Sequence, residues 1–195
     1  WETRVDLRHE KLGPLEGAFG AHLHHSTLRA EGEEAYLPAT RTFRRALFGI
    51  EELRHGNMRW QFGLRWETQD LEVRDGSNRR REDDALSSSA GVVWSPGEVW
   101  SFAVSAAHTQ RAPTAQELFA DGSHVATRSY EIGDENLRRE RSTGLDVSVR
   151  RPTGVDGMKA HVQMVKKSTR PSLRNAPILR AARSLSPGNP TMKLA

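Results

Sequence analysis

The chain is 195 residues long and 36% hydrophobic, with a mean hydropathy of −0.68 and no cysteine. No apolar run approaches the roughly 20 residues of a spanning helix, which excludes a helical membrane protein, and the missing thiols exclude disulfide frameworks, thiolate metal sites and cysteine nucleophiles. The net charge of +4 conceals a split: residues 1–149 carry 19 Lys and Arg against 24 Asp and Glu, whereas residues 150–195 carry 10 against 1.

Trp1 to Glu10 alternates without a break. Trp1, Thr3, Val5, Leu7 and His9 fall on one face, and Glu2, Arg4, Asp6, Arg8 and Glu10 on the other, a period of two that predicts a strand. After the Gly13-Pro14 turn, Leu15 to His25 sets Leu15, Gly17, Phe19, Ala21 and Leu23 against Glu16, Ala18, Gly20, His22 and His24. Ser26 to Thr40 reads as an outer loop. Arg41 to Leu53 places Ala46, Phe48 and Ile50 on one side, with Arg45, Gly49 and Glu51 on the other. Beyond the turn at His55-Gly56-Asn57, Met58 to Val73 is the clearest strand, with Met58, Trp60, Phe62, Leu64 and Trp66 facing one way.

A charged loop, Asp75 to Ala85, leads into a strand over Leu86 to Trp94. A tight turn at Ser95-Pro96-Gly97-Glu98 follows, then a strand over Val99 to His108, a long loop over Thr109 to Arg141, and a strand over Ser142 to Arg150. Connections thus alternate short and long. A soluble sandwich has no reason to sort loops by length, whereas outer-membrane barrels pair short periplasmic turns with long outer loops. In such a wall only alternate residues meet lipid, so the average stays hydrophilic. The predicted fold is all-β, an antiparallel transmembrane β-barrel portion of about eight strands over 1–151.

After Arg151 the alternation is expected to stop. Residues 152–195 read as an irregular basic tail dotted with Pro171, Pro177, Pro187 and Pro190, each removing a ladder donor. The expected cause is a change of coding frame near Arg151 to Asp156, with a natural disordered basic extension as the alternative. The chain opens at Trp1 without a secretory pattern, which for an exported protein predicts a mature or truncated piece.

Arg111-Ala112-Pro113, Glu117-Leu118-Phe119, Asp121-Gly122, His124-Val125-Ala126-Thr127, Tyr130-Glu131-Ile132-Gly133 and Asn136-Leu137 with Glu140-Arg141-Ser142 together resemble the late barrel of TonB-dependent outer-membrane receptors. The run Glu34 to Thr42 is similar to the same family. The Glu-Leu-Phe, Asp-Gly, His, Ala-Thr pattern is most similar to the zinc-uptake branch, with iron-complex receptors sharing much of the barrel.

The resemblance implies a barrel of about 22 strands around a plug in the outer membrane of a Gram-negative bacterium. It implies uptake of a metal ion or metal chelate, zinc first and iron-siderophore next, driven when an inner-membrane TonB complex pulls on the plug. No plug or coupling segment is visible in these residues. The metal would be cargo, with no permanently bound cofactor, and outer-membrane lipid the other partner; no specific nucleic-acid partner is expected.

The candidate ligands are His22, His24, His25, His124, Asp121 and Glu131, with His22, His24 and His124 as the metal candidates. His22 and His24, two apart on a strand, share one face, and neutral imidazole is a common zinc ligand. The plain alternative makes His22 and His24 ordinary polar lining and His25 and His124 loop residues. Arg111, Pro113, Glu117, Leu118, Gly122, Gly133, Leu137 and Glu140 read as architecture. No acid/base pair or nucleophile constellation stands out, so no enzyme is predicted. A soluble β-rich ligand-binding protein without energy coupling is the second reading.

Overall fold

A computed structural model of the chain describes residues 1–32, 36–124, 129–151, 158–168 and 174–177. Its strands are β1 (Glu2–Leu12), β2 (Leu15–Leu28), β3 (Thr40–His55), β4 (Met58–Val73), β5 (Arg80–Trp94) and β6 (Ser101–Arg111). A short helix α1 (Ala115–Phe119) follows, then β7 (Asp121–His124), β8 (Ser129–Ile132), β9 (Glu140–Arg151), β10 (Met158–Ser168) and β11 (Arg174–Pro177). Eight strands form one sheet in the order β1-β2-β3-β4-β5-β6-β9-β10, and β11-β8-β7 form a second, small one. All pairings are antiparallel. The tight turns need left-handed backbone, which glycine supplies without steric cost: Gly13 has φ 67° and Gly56 φ 56°.

Because paired residues share a face, the register defines two surfaces across the whole sheet. One is apolar: Val5 opposite Ala21, Leu47 opposite Trp66, Trp66 opposite Leu86, Val104 opposite Val147, Val147 opposite Val162. Its side chains stand open to the surroundings, Leu64 by 57% and Phe62 by 46%, as expected of residues that meet lipid. Aromatic clusters mark both ends of this face. Trp94, Phe102 and Trp100 stack at the short-turn end, with ring centroids 5.5 and 6.2 Å apart, and Trp1, His25 and Phe43 gather at the long-loop end. The other surface carries Arg4, His22, Arg44, Arg65, Glu67, Ser89, Ser105 and Asp146 and faces the lumen.

The apolar surface crosses the strands obliquely. Leu7, Phe19 and Leu64 lie in one register row that continues through Ser88, His108 and Thr143 to Lys166. A row that begins in the apolar zone on β1 therefore ends in the polar rim on β10, as tilted strands in a barrel wall require.

The structure settles one face that the sequence left open and corrects one expectation. Ala46, Phe48 and Ile50 share a side as expected, and it is the lumenal one: Ala46 pairs with His22 and Glu67, Phe48 pairs with Arg65, and the Arg4 guanidinium lies over its ring at 4.5 Å. Leu47 carries the apolar face instead. Three consecutive apolar residues leave the parity of an isolated strand undecided, and only pairing settles it. The strand pattern also continues past Arg151. β10 pairs with β9 from Met158 opposite Arg151 to Ser168 opposite Arg141, with Val162 and Met164, 59% and 60% exposed, extending the apolar face. The expected tail therefore contains strand to Ser168 and again over β11; residues 152–157, 169–173 and 178–195 lie outside the described residues.

Opposite-face substitutions on β4 test this assignment. Leu64→Arg should destabilise the membrane-inserted chain by about 2–4 kcal/mol, whereas Gln61→Arg on the lumenal face should cost far less; urea titration in lipid vesicles, followed by tryptophan fluorescence, reads both.

Candidate functional site

The lumenal faces of β1 to β4 converge near their long-loop ends on a cavity of about 290 Å³ lined by Glu2, His22, His24, Arg44, Ala46, Arg65 and Glu67. Register makes it: Glu2 lies opposite His24, Arg4 opposite His22, His24 opposite Arg44, and Ala46 opposite Glu67. Arg65 can only donate, so its contact with His22 Nδ1 at 3.4 Å leaves the ring proton on Nε2. That N–H donates to Glu2 Oε1 at 2.7 Å. The second oxygen of Glu2 lies 3.7 Å from His24 Nδ1, and Arg65 is neutralised by Glu67. The result is a chain of alternating donors and acceptors, Glu67 to Arg65 to His22 to Glu2 to His24, open to the lumen. No group of three or more His, Asp or Glu residues among the described residues is spaced to hold a metal ion as it stands.

Arg44, which lines the same cavity opposite His24, starts a second link that runs upward. Its Nε donates to Gln69 Oε1 at 2.8 Å, and Gln69 Nε2 donates to the carbonyl of Pro113 at 2.9 Å. Gln69 is buried and ties the wall to the long loop after β6. That loop folds onto the lumenal face of β4, where Leu71 and Val73 form a small core with Leu118, Phe119 and Leu137.

Helix α1 is built by its own first turn. Thr114 caps it through the Glu117 N–H, while Glu117 reaches back to the Thr114 N–H at 2.8 Å, a reciprocal capping box. Arg111 then clamps the helix to the sheet, donating to both oxygens of Glu117 at 2.8 and 2.9 Å and to Glu140 Oε2 at 2.7 Å. The Arg111 guanidinium, aided by Thr114 and opposed by burial, holds the Glu117 carboxyl down at about 2 against an ordinary 4.5. Gly133 passes so close that a Cβ there would meet the Leu118 carbonyl carbon at 2.6 Å, and a Cβ on Gly122 would meet Tyr36 Cβ at 2.8 Å.

Of the predicted ligands whose side chains are described, the structure brings together only His22 and His24. His25 has the opposite parity: it stacks on Trp1 at 5.7 Å and accepts from Arg41 Nε at 3.1 Å on the membrane side. Asp121 accepts from the Tyr130 hydroxyl at 3.0 Å. Glu131 is buried and accepts from Gln116 Nε2 at 3.0 Å. The side chain of His124 lies outside the described residues. Sequence reading did not single out Glu2, Arg65 or Gln69. Their parity was visible in the alternation, but partners 20 to 44 residues apart meet only through register.

A family model described as "TonB dependent receptor-like, beta-barrel" matches residues 2–160. Among solved structures, one titled "Copper transporter OprC" is similar at a TM-score of 0.59 and 14% identity, over 84% of this chain and 29% of that one. At that identity the likeness is one of fold, and the chain spans under a third of the neighbour's length.

Gly133→Ala should loosen α1 by about 1–3 kcal/mol, because the obstructing atoms are backbone; amide hydrogen exchange over residues 112–120 reads the loss. Since Glu117 is depressed in the folded state, its stabilisation is complete above 4.5 and disappears as pH falls toward about 2. Protection of the same amides should follow that window, and Glu117→Gln should lower protection and flatten the dependence.

Proposed function

This chain belongs to the TonB-dependent receptor-like β-barrel family, and we propose that it forms part of the wall of an outer-membrane receptor that takes up a metal ion or metal chelate. The family is one of transport receptors rather than enzymes. The observation that carries the cargo class is the Glu2, His22 and His24 set on the lumenal face. An ion replacing the proton between His22 Nε2 and Glu2 Oε1 would meet one imidazole nitrogen and a carboxylate whose second oxygen lies 3.7 Å from His24 Nδ1, so a third ligand requires His24 to move inward. Zn²⁺ accepts those donors at about 2.0–2.2 Å, and imidazole serves copper, iron and nickel as well.

Zinc is the favoured cargo. The neighbour's title, a copper transporter, supports a bare transition-metal ion over a large chelate, and an iron-siderophore complex is second. In this reading the intact receptor holds a plug in the lumen, and an inner-membrane TonB complex moves it. The Gln69 link from Arg44 to Pro113 would let the outer loop respond to what sits beside His22.

Calorimetric titration of the full chain in detergent micelles with Zn²⁺ and with Cu²⁺ tests the reading. One ion should bind per chain, and His22→Ala or His24→Ala should weaken binding tenfold or more, about 1.4 kcal/mol, with His55→Ala unchanged. Equal affinity in the His22 and His24 variants would sink it; binding of a ferric chelate but of neither ion would favour the second cargo.

A further inference from the structure

We infer that Arg65 guards the empty lumenal site and that Glu67 is the carboxylate that holds His22 once a metal ion is seated. The inference rests on the cargo reading above and names two positioning residues, which act through His22 rather than on the ion. A histidine that binds a metal through one ring nitrogen donates the N–H of the other to a carboxylate, carbonyl or water, and so fixes its orientation. His22 shows the reverse arrangement. Its Nε2–H points to Glu2 Oε1 at 2.7 Å, where the ion would sit, while its Nδ1 accepts from Arg65 at 3.4 Å. A guanidinium has no acceptor, so Arg65 cannot stay against an Nδ1 that carries a proton.

The acceptor that a loaded ring needs already stands beside it. Glu67 lines the same cavity as His22, and Ala46 lies between the two in one register row. Two strand spacings set their backbones about 9.5 Å apart, and the small Ala46 side chain leaves the space in which an imidazole and a carboxylate can lean together. Glu67 binds Arg65 through Oε2, leaving Oε1 to the ring. The neighbouring lumenal carboxylates are committed elsewhere: Glu2 faces Nε2, and Asp6 accepts from Arg4 at 2.9 to 3.1 Å.

Seating the ion leaves the proton count of the ring unchanged. Nε2 releases its proton to solvent and binds the ion with the freed electron pair, while Nδ1 takes up a proton from solvent and donates it to Glu67 Oε1. Arg65 slides off Nδ1 and keeps its ion pair through Oε2. A metal ion thus has to turn a cation away from His22 before the ring can hold it, and the freed ring then gains the carboxylate partner that strengthens a metal-bound imidazole.

Nitrogen-15 NMR of the full chain in detergent micelles, labelled at histidine and assigned for His22 by comparison with His22→Gln, reads the ring of the unaltered protein directly. The metal-free ring should carry its proton on Nε2, and Zn²⁺ should move it to Nδ1. A metal-free Nδ1–H, or a loaded ring with no proton on Nδ1, would overturn the inference and leave the cargo reading intact. Calorimetric titration with Zn²⁺ then tests the two residues. Glu67→Gln should weaken binding roughly tenfold, and Arg65→Met should tighten it more than Arg44→Met, which removes the same charge from the same cavity without touching the ring. Unchanged affinity in Glu67→Gln, or equal gains in the two methionine variants, would likewise overturn the inference alone. Absence of His22-dependent Zn²⁺ binding in the unaltered chain would sink the cargo reading and the inference together. Far-UV circular dichroism of every variant confirms an unchanged β signature.

Discussion

Everything in this molecule depends on a backbone ladder that must be complete on both sides of each strand while its two faces meet different surroundings. In hydrocarbon an unpaired N–H or carbonyl costs several kcal/mol, so each strand from β1 to β10 in the large sheet pairs with its neighbour, with a register shift between His9 and Leu12 at the short-turn end of β1, and the period of two then sorts side chains automatically. Leu47 and Trp66 go outward because Ala46 and Glu67 go inward. The lumenal cluster follows from the same rule: Glu2, His22, Arg44 and Arg65 come from four different strands and meet because one register runs through all of them.

The long loop after β6 solves a separate problem. A segment of 28 residues between β6 and β9 carries many backbone groups and little core. It gains order by turning its apolar residues inward onto Leu71 and Val73, and by fastening both of its ends to one guanidinium. Arg111 closes the strand before the loop, Glu140 opens the strand after it, and Glu117 sits within it. The loop thereby becomes an inward shelf over β4, with Gln69 as the strut that joins shelf, wall and lumenal cavity.

Most of this architecture was legible in the residues. Strand parity from Trp1 to Trp94, the alternating loop lengths and the Arg111 to Glu140 motif carried the fold and the family. What stayed hidden shares one physical cause, that register is a relation between strands. Ala46-Leu47-Phe48 reads equally well in either parity, so the outward residue of β3 needed its neighbours. The basic end Lys166-Lys167 masked the alternation of Met158, Ala160, Val162 and Met164, although the period of two is present there. His22 and His24 announced themselves by spacing, but Glu2 looked like one charge among five on its face until His24 stood opposite it. The helix hidden in Ala115–Phe119 is too short to show a helical period, whereas His25 shares the parity of Leu15, Phe19 and Leu23, which already turned it to the membrane side.

The oblique course of the apolar surface has a mechanical meaning. With one row running from Leu7 to Lys166, the two outermost strands present their greasy portions at different heights relative to the ladder. Any strand joining β10 has to slide toward the short-turn end to keep lipid on its apolar residues, and any strand joining β1 has to slide the other way. A flush neighbour would bury Lys166 in hydrocarbon or strand Val5 in water. The wall thus behaves like a thread cut on a screw, dictating the pitch at which the next turn engages and rejecting partners whose pitch does not match.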